Sequence, residues 1–507
     1  MNRADPFSGY SLVLRTIIYG LIPAFSVWQH FRYKRALHIF QLEGYERDRF
    51  LEWCKAHPQR ARFLGSVDAK KPLVMTGRAR RILWTATLIT PFLILIPSGV
   101  IHVGFGGWPY DVITWAVMTA AVFYLAPRVL LLADVVMSPV QSYINNGYLR
   151  KARAKLAGVA PVVVGITGSF GKTSTKFAIE RLLGPEEEVL ATPGSFNTPL
   201  GVCRTINEQL SPAHRYFIVE MGAYHEGEIA ELMAFVHPTI GVLTAVGPAH
   251  LERFGSMEAI RRGKYEVIRD LPAGGTAVMN VDDPTVRSLA DGTSHVKVVR
   301  YGIESEGKPD VTAGDIVYSP VGTSFTATAG EDRAAVATRL LGRHSVGHVL
   351  AAVAVGLATG RSLPEIAAAA ADLEPVEHRL RLIHGTGGIT VIDDAYNSNP
   401  EGAVAALEVL AAMEGNRKVV VTPGIIELGE LQDEANREFG ARAAAVANHL
   451  LVVARLNRDA IVAGAAGGKA KVETFDTLAA ATERMKQILQ PGDVVLFEND
   501  LPDQLEG

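Results

Sequence analysis

Cysteine is almost missing from this chain: Cys54 and Cys203 are the only two in 507 residues. So few thiols, so far apart in sequence, exclude a disulfide framework and a cysteine metal site, and they suit a reducing compartment. A cleavage site is missing too. The first apolar stretch, Tyr10 to Trp28, meets no small-x-small pattern before His30-Phe31-Arg32-Tyr33-Lys34-Arg35, which excludes a cleavable signal peptide. Ile82 to Val103 lacks charge, and the connection Gly104 to Asp111 lacks Lys and Arg.

What is present is apolar and unevenly charged. Hydrophobic residues make up 48% of the chain, high for a purely soluble enzyme. The length allows two or three domains. The net charge of −3 conceals an asymmetry: residues 1–160 carry 20 Lys and Arg against 8 Asp and Glu, hence +12, which leaves −15 for the rest. A basic segment fits nucleic acid or a membrane surface. The flanking apolar runs favour the membrane, and no nucleic acid is expected.

Three apolar stretches organise residues 1–150: Tyr10 to Trp28, Ile82 to Val103, and Val112 to Pro127 running on through Arg128. A span needs roughly 20 apolar residues. The second passes, the third passes if Arg128 snorkels, and the first reads as a span, an interfacial helix or a re-entrant segment. The basic flanks predict a multi-pass protein of the inner (cytoplasmic) membrane, with the lipid bilayer as a partner and the catalytic domains on the cytoplasmic side. The competing reading is a set of buried helices in a soluble domain.

The rest of the chain is arranged around Gly165-Ile166-Thr167-Gly168-Ser169-Phe170-Gly171-Lys172-Thr173-Ser174. A Val-rich run precedes it and a helical pattern follows it, the layout of a phosphate-binding loop. Glycines let backbone N–H groups converge on phosphate oxygens, and the helix N-terminus adds positive potential. Lys172 reaches terminal phosphates in such a loop, and Thr173 ligates Mg²⁺. The strict spacing needs Gly at 166, where this chain has Ile. A Gly-rich turn with a chance lysine is the plainer reading, and the flanking elements weigh against it.

Apolar runs then alternate with helical patterns, which predicts an α/β fold: a doubly wound, mostly parallel ATPase domain over 155–380 and a Rossmann-like α/β domain over 381–507. Function gathers at the carboxyl ends of such strands. Glu220, His250 and Asn280 fall there. Taken singly, Glu220 and His250 are more often local hydrogen-bonding groups than ligands. A small antiparallel insert is expected over 296–330.

Several motifs in one order make the reading specific. They are Thr167 to Ser174, Thr192-Pro193-Gly194-Ser195-Phe196-Asn197-Thr198-Pro199, Glu220-Met221-Gly222, Ala249-His250-Leu251-Glu252-Arg253-Phe254-Gly255, Asp393-Asp394-Ala395-Tyr396-Asn397-Ser398-Asn399-Pro400 and Glu427-Leu428-Gly429. Over about residues 160–500 the chain resembles the Mur ligases, ATP-dependent amide ligases of peptidoglycan synthesis, and most of all the branch that adds D-alanyl-D-alanine. The resemblance implies a catalytic set of Lys172, His250, Lys264 and Arg379. It implies ATP held by Gly168, Ser169, Gly171, Lys172, Thr173, Ser174, Asn280, Arg379, Asp393, Tyr396 and Asn397. It implies two Mg²⁺ on Thr173, Glu220, His250 and Lys264, with Lys264 carbamylated. The plainer reading of Lys264 is an ordinary surface lysine. The implied reaction activates a carboxylate as an acyl phosphate, which an amine attacks to give an amide, ADP and phosphate.

The chain also departs from the family. Ser345 and His348 stand where asparagines usually help to hold adenine, and Asn436 where histidine is usual. Glu498-Asn499-Asp500-Leu501 replaces a basic Lys-Gly-Ser-Arg segment. No UDP-binding amino-terminal domain is legible in 1–150, so a lipid-linked carboxylate substrate is expected, with an amino acid or peptide as the amine. A polyglutamate-type capsule synthase and a silent nucleotide-binding scaffold are the alternatives.

Overall fold

A computed structural model describes residues 8–63, 72–105, 110–185, 187–194, 196–303, 305–319, 321–385, 387–395, 399–453 and 455–499. The chain forms two compact units, residues 1–147 and 148–507.

The first unit is helical: α1 (Ser8–Leu42), α2 (Arg47–Ala56), α3 (Pro58–Phe63), α4 (Gly77–Phe105), α5 (Tyr110–Tyr124) and the start of α6 (Ala126–Val159). Its core joins Tyr33, Leu37 and Phe40 to Phe50, Ile82, Leu83, Ala86, Val129 and Leu130. Asp134 is buried and takes Arg47 at 2.7 Å and Arg78 at 3.1 Å. Part of the apolar character of these helices therefore serves helix-on-helix packing, while the other face of α4 exposes Trp84, Leu88, Phe92 and Ile96.

The multi-pass membrane expectation is corrected here. Among the described residues one helix, Gly77–Ile101, is long and apolar enough to cross a membrane. Tyr10 to Trp28 falls in α1, with the side chains of residues 10–19, 22 and 23 outside the described residues. The third stretch is broken into Ile113–Tyr124 and Ala126–Val159, bent by 80°, and passes only if the bent pair counts as one span. Run length read along the sequence cannot show that break. The tip of the expected hairpin, 106–109, lies outside the described residues.

The second unit holds two sheets. The first has nine strands: β1 (Val162–Thr167), β2 (Val189–Ala191), β3 (Tyr216–Glu220), β4 (Ile240–Leu243), β5 (Thr276–Asn280), β6 (Lys297–Gly302), β7 (Val311–Ser319), β8 (Gly322–Ala329) and β9 (Asp332–Thr338). Their spatial order is β2-β3-β1-β4-β5-β6-β7-β8-β9. Pairing is parallel through β7 and antiparallel for β7–β8 and β8–β9. The antiparallel part thus begins later than expected and extends the main sheet, with β6 a parallel member.

Alternate residues of each central strand enter opposite cores, as a sheet covered on both faces requires. Val164, Ile218, Val242 and Val278 pack under α7 (Lys172–Leu183) and the helix Arg343–Ala358. Val163, Phe217, Leu243 and Ala277 pack against the helices Pro199–Glu208, Glu228–Val236 and Met257–Arg269.

The second sheet comprises β10 (Arg381–His384), β11 (Thr390–Asp394), β12 (Lys418–Thr422), β13 (His449–Val453), β14 (Lys471–Phe475) and β15 (Val494–Glu498), in the order β10-β11-β15-β12-β13-β14. All neighbours are parallel except β10–β11.

Candidate active site

The loop between β1 and α7 is shaped by its glycines. Gly168 has φ 155°, and a Cβ there would stand 2.0 Å from Thr244 Oγ1. Gly171 has φ 79° and caps α7, with His348 Cε1 2.7 Å from where a Cβ would be. Neither position accepts a side chain. The Ser169 N–H donates to Ala245 O at 2.8 Å, and its hydroxyl meets Gly247 at 2.9 Å, so the β4 end braces the turn. Lys172 folds back and donates from Nζ to Gly168 O at 2.6 Å and Ser169 O at 3.2 Å. Burial pulls its amine below the ordinary range, and Glu220 opposes that. Thr173 and Ser174 open α7, and Ser174 lines a cavity of about 650 Å³ between the two sheets.

Glu220 ends β3 almost fully buried. Its Oε2 lies 3.3 Å from Lys176 Nζ and accepts no hydrogen bond from any described residue, so the carboxylate keeps coordinating capacity beside the loop. His250 precedes the helix Leu251–Phe254, and its Nδ1 is hydrogen-bonded to Glu427 Oε2. Lys264, on the helix Met257–Arg269, is only 1% exposed, which disposes of the surface-lysine reading. Its Nζ donates to Ala223 O at 3.3 Å. Burial first, then the nearby Lys172, holds this amine well below its ordinary value. Among the described residues no group of three or more His, Cys, Asp or Glu is arranged for a metal. A Mg²⁺ carried by phosphates needs one or two protein ligands and several waters, so Glu220 and Thr173 fit that ion without a preformed cage.

Asn280 ends β5 and lines the cavity, with its Nδ2 donating to Thr244 O at 2.9 Å. Arg379 also lines it, between His378 and Leu380, which both hold positive φ. Asp393 instead turns to His378 Nδ1 at 2.7 Å, and Asp394 is the cavity residue. Burial raises Asp394 to about 6 against the pull of Arg379. Tyr396 and Asn397 lie outside the described residues. Asn399 caps the helix Pro400–Ala412, its Oδ1 accepting from Gly402 N at 2.9 Å.

Sequence reasoning missed Lys176 and His344, and it reached Glu427 and His348 only as motif positions, without their partners. Lys176 is the buried partner of Glu220. Glu427 was visible as part of Glu427-Leu428-Gly429, but not its contact with His250. His344 and His348 both line the cavity, and burial lowers them to about 4 and about 3, so they are neutral imidazoles at ordinary pH. His348 Nδ1 lies 3.0 Å from Thr175 Oγ1, one turn into the phosphate loop's helix. Asn436 spends its amide on local structure, accepting from Ile425 N and donating to Ile425 O and Gln432 O, each at 2.8 Å.

Residues 166–356 match the Mur ligase middle domain, and residues 378–498 match the Mur ligase, glutamate ligase domain. The UDP-N-acetylmuramoyl-tripeptide–D-alanyl-D-alanine ligase of Mycobacterium bovis is 38% identical over 370 residues, covering 68% of this chain and 71% of that protein. The chain belongs to the Mur ligase family. It is an ATP-dependent carboxylate–amine ligase of the ADP-forming kind. The Escherichia coli ligase of the same name is 32% identical, over 66% of this chain and 72% of its own. Among solved structures, MurF of Acinetobacter baumannii superposes with a TM-score of 0.64 at 28% identity, covering 70% of this chain and 77% of that one. MurF of Thermotoga maritima in complex with ADP gives 0.63 at 28% identity, covering 70% and 80%. The two Mur ligase domains lie wholly within the second compact unit.

Proposed function

We propose that this Mur ligase joins the carboxylate of a peptidoglycan-type precursor peptide to the amino group of an incoming amino acid or short peptide. The relatives are named for a UDP-linked muramoyl tripeptide and D-alanyl-D-alanine. The observation that carries the proposal is the cavity of about 650 Å³, which has the phosphate loop on one wall and Arg379, Asp394 and Arg442 on another. The relatives' names carry a UDP-linked acceptor and neither a lipid-linked one nor a capsule polymer, so those alternatives are not favoured.

In the proposed reaction a carboxylate oxygen attacks the γ-phosphorus of ATP and the bond to ADP breaks, leaving an acyl phosphate. The neutral amine attacks the acyl carbon, a proton leaves nitrogen, and phosphate departs. Gly168, Ser169, Gly171 and Ser174 cradle phosphate oxygens, and Lys172 exchanges its loop carbonyls for the terminal phosphates. Asn280 takes the base side and Arg379 the phosphates, while Asp393 acts at one remove by holding His378 next to Arg379. Thr173, Glu220 and His250 would hold Mg²⁺, which when bound would neutralise phosphate charge so that two anions can approach. Burial of Lys264 disfavours its charged form, so its amine would attack CO₂ and lose a proton, giving a carbamate that would add a carboxylate-like group to the metal set. A ¹³C-bicarbonate NMR signal lost in Lys264→Ala tests that step.

The deciding experiment is phosphate release with Mg²⁺ and ATP against UDP-linked and lipid-linked peptide acceptors, each with D-alanyl-D-alanine and other amines, followed by mass spectrometry. A product heavier by the amine less one water is expected. ATP binding without product from any pair rejects the proposal.

A further inference from the structure

The His250–Glu427 contact joins the two sheets' halves of the second unit. His250 lies just after β4, whereas Glu427 lies in the turn after β12. An ionised carboxylate has no proton to give, so the imidazole donates from Nδ1 and its lone pair resides on Nε2. Both residues hold left-handed backbone, φ 58° for His250 and 64° for Glu427. That conformation is uncommon outside glycine and persists where the surroundings impose it. The surroundings are specific. Arg253 stands 3.7 Å from the other Glu427 oxygen and 3.9 Å over the Tyr224 ring. Tyr224 in turn meets the His250 ring edge-on at 4.8 Å.

We propose that Glu427 is a positioning residue: by accepting the hydrogen bond from Nδ1 it presents His250 Nε2 to the divalent cation, so the carboxyl-terminal half completes the cation site of the nucleotide-binding half. This rests on the reading of His250 as a metal ligand. Imidazole ligands ordinarily give their second N–H to a carboxylate or carbonyl, which fixes tautomer and orientation, and loss of that partner costs about 10–100-fold in metal affinity. Here the partner arrives from the other sheet's half, so docking of the halves and ligation by His250 become one event.

The test uses the full chain with a non-hydrolysable ATP analogue and reads Mn²⁺ affinity by electron paramagnetic resonance. His250→Ala and Glu427→Ala should each weaken Mn²⁺ binding about 10-fold or more, and the double variant should be no worse than His250→Ala alone. Glu427→Gln should recover most of the loss, because its amide oxygen accepts the same hydrogen bond. If His250→Ala weakens Mn²⁺ and Glu427→Ala does not, the inference fails and the ligand reading survives. If His250→Ala has no effect, the ligand reading fails and takes the inference with it. Additive losses in the double variant overturn the inference as well. Should Glu427→Ala not fold, ¹⁵N-histidine NMR of the unaltered protein decides: a proton on Nδ1 of His250 is expected, and a proton on Nε2 overturns the proposal.

Discussion

Lys176 and Glu220 form an ion pair inside the nucleotide-binding half, 3.3 Å apart with side chains 0% and 2% exposed. Lys176 also donates to Gly194 O, so one ammonium ties α7 to the turn after β2 and to the end of β3. Removing one partner of a buried pair leaves the other charge uncompensated, at a cost of about 3–5 kcal/mol. Lys176→Met should therefore lower the melting temperature markedly and weaken ATP binding, and Lys176→Arg should do so less. A melting curve unchanged by the methionine would show that the pair contributes nothing.

Lys172 differs from Lys176 in having only loop carbonyls as hydrogen-bond partners among the described residues. Those bonds are replaceable by phosphate oxygens, so the lysine acts on the reaction more than on the fold. Lys172→Ala should cut turnover about 10²–10³-fold, the scale of losing one electrostatic stabiliser of a transition state. Its melting temperature should stay near that of the parent. Retained ligation would remove Lys172 from the phosphate site.

Two neutral histidines give the cavity an acid-sensitive wall. His344 and His348 fall by burial to about 4 and about 3, against 6.5 for a free imidazole. The unfolded chain therefore binds protons that the folded chain refuses. Their contribution to stability is complete above about pH 6.5 and is lost as pH falls toward 4, at about 2 kcal/mol per imidazole by pH 5. Asp394, raised to about 6, works in the opposite direction because its folded form keeps a proton that the unfolded form releases. Melting curves at pH 7 and pH 5 separate the two. The parent should lose more stability on acidification than a His344→Gln, His348→Gln variant, and equal losses would contradict the buried-imidazole account.

The strand, loop and helix around Gly168 to Ser174 were legible because local pattern marks them: Val163 and Val164 alternate into opposite cores, and Gly171 suits a turn. Lys264 was legible by resemblance but its burial was not, since a lysine on a helix carries no local mark of facing inward. The membrane reading failed at Leu125, where the chain bends by 80° just before Pro127, a helix-start signal that run length alone passes over. Glu427 and His348 were legible as motif positions, but their contacts were not, because the partners, His250 and Thr175, lie 177 and 173 residues away. Asn436 read as a departure in substrate contact, whereas its amide is occupied by the turn at Ile425.

That amide gives the last prediction. Asn436 is fully buried, and its Oδ1 accepts the Ile425 N–H while its Nδ2 donates to Ile425 O and Gln432 O. The turn it holds runs from Gly424, φ 84°, to Glu427. A leucine has the same branched skeleton, somewhat bulkier, without the polar atoms. In Asn436→Leu the Ile425 carbonyl keeps Asn457 Nδ2 at 3.1 Å, but the Ile425 N–H loses its acceptor. A buried donor left alone costs about 1–3 kcal/mol. Thermal melting should register that loss. Because the same turn carries Glu427 to His250, Mn²⁺ affinity should fall with it, less than in Glu427→Ala, since the carboxylate is displaced and not removed. A variant that melts earlier yet binds Mn²⁺ like the parent would separate the turn's stability from the placement of Glu427.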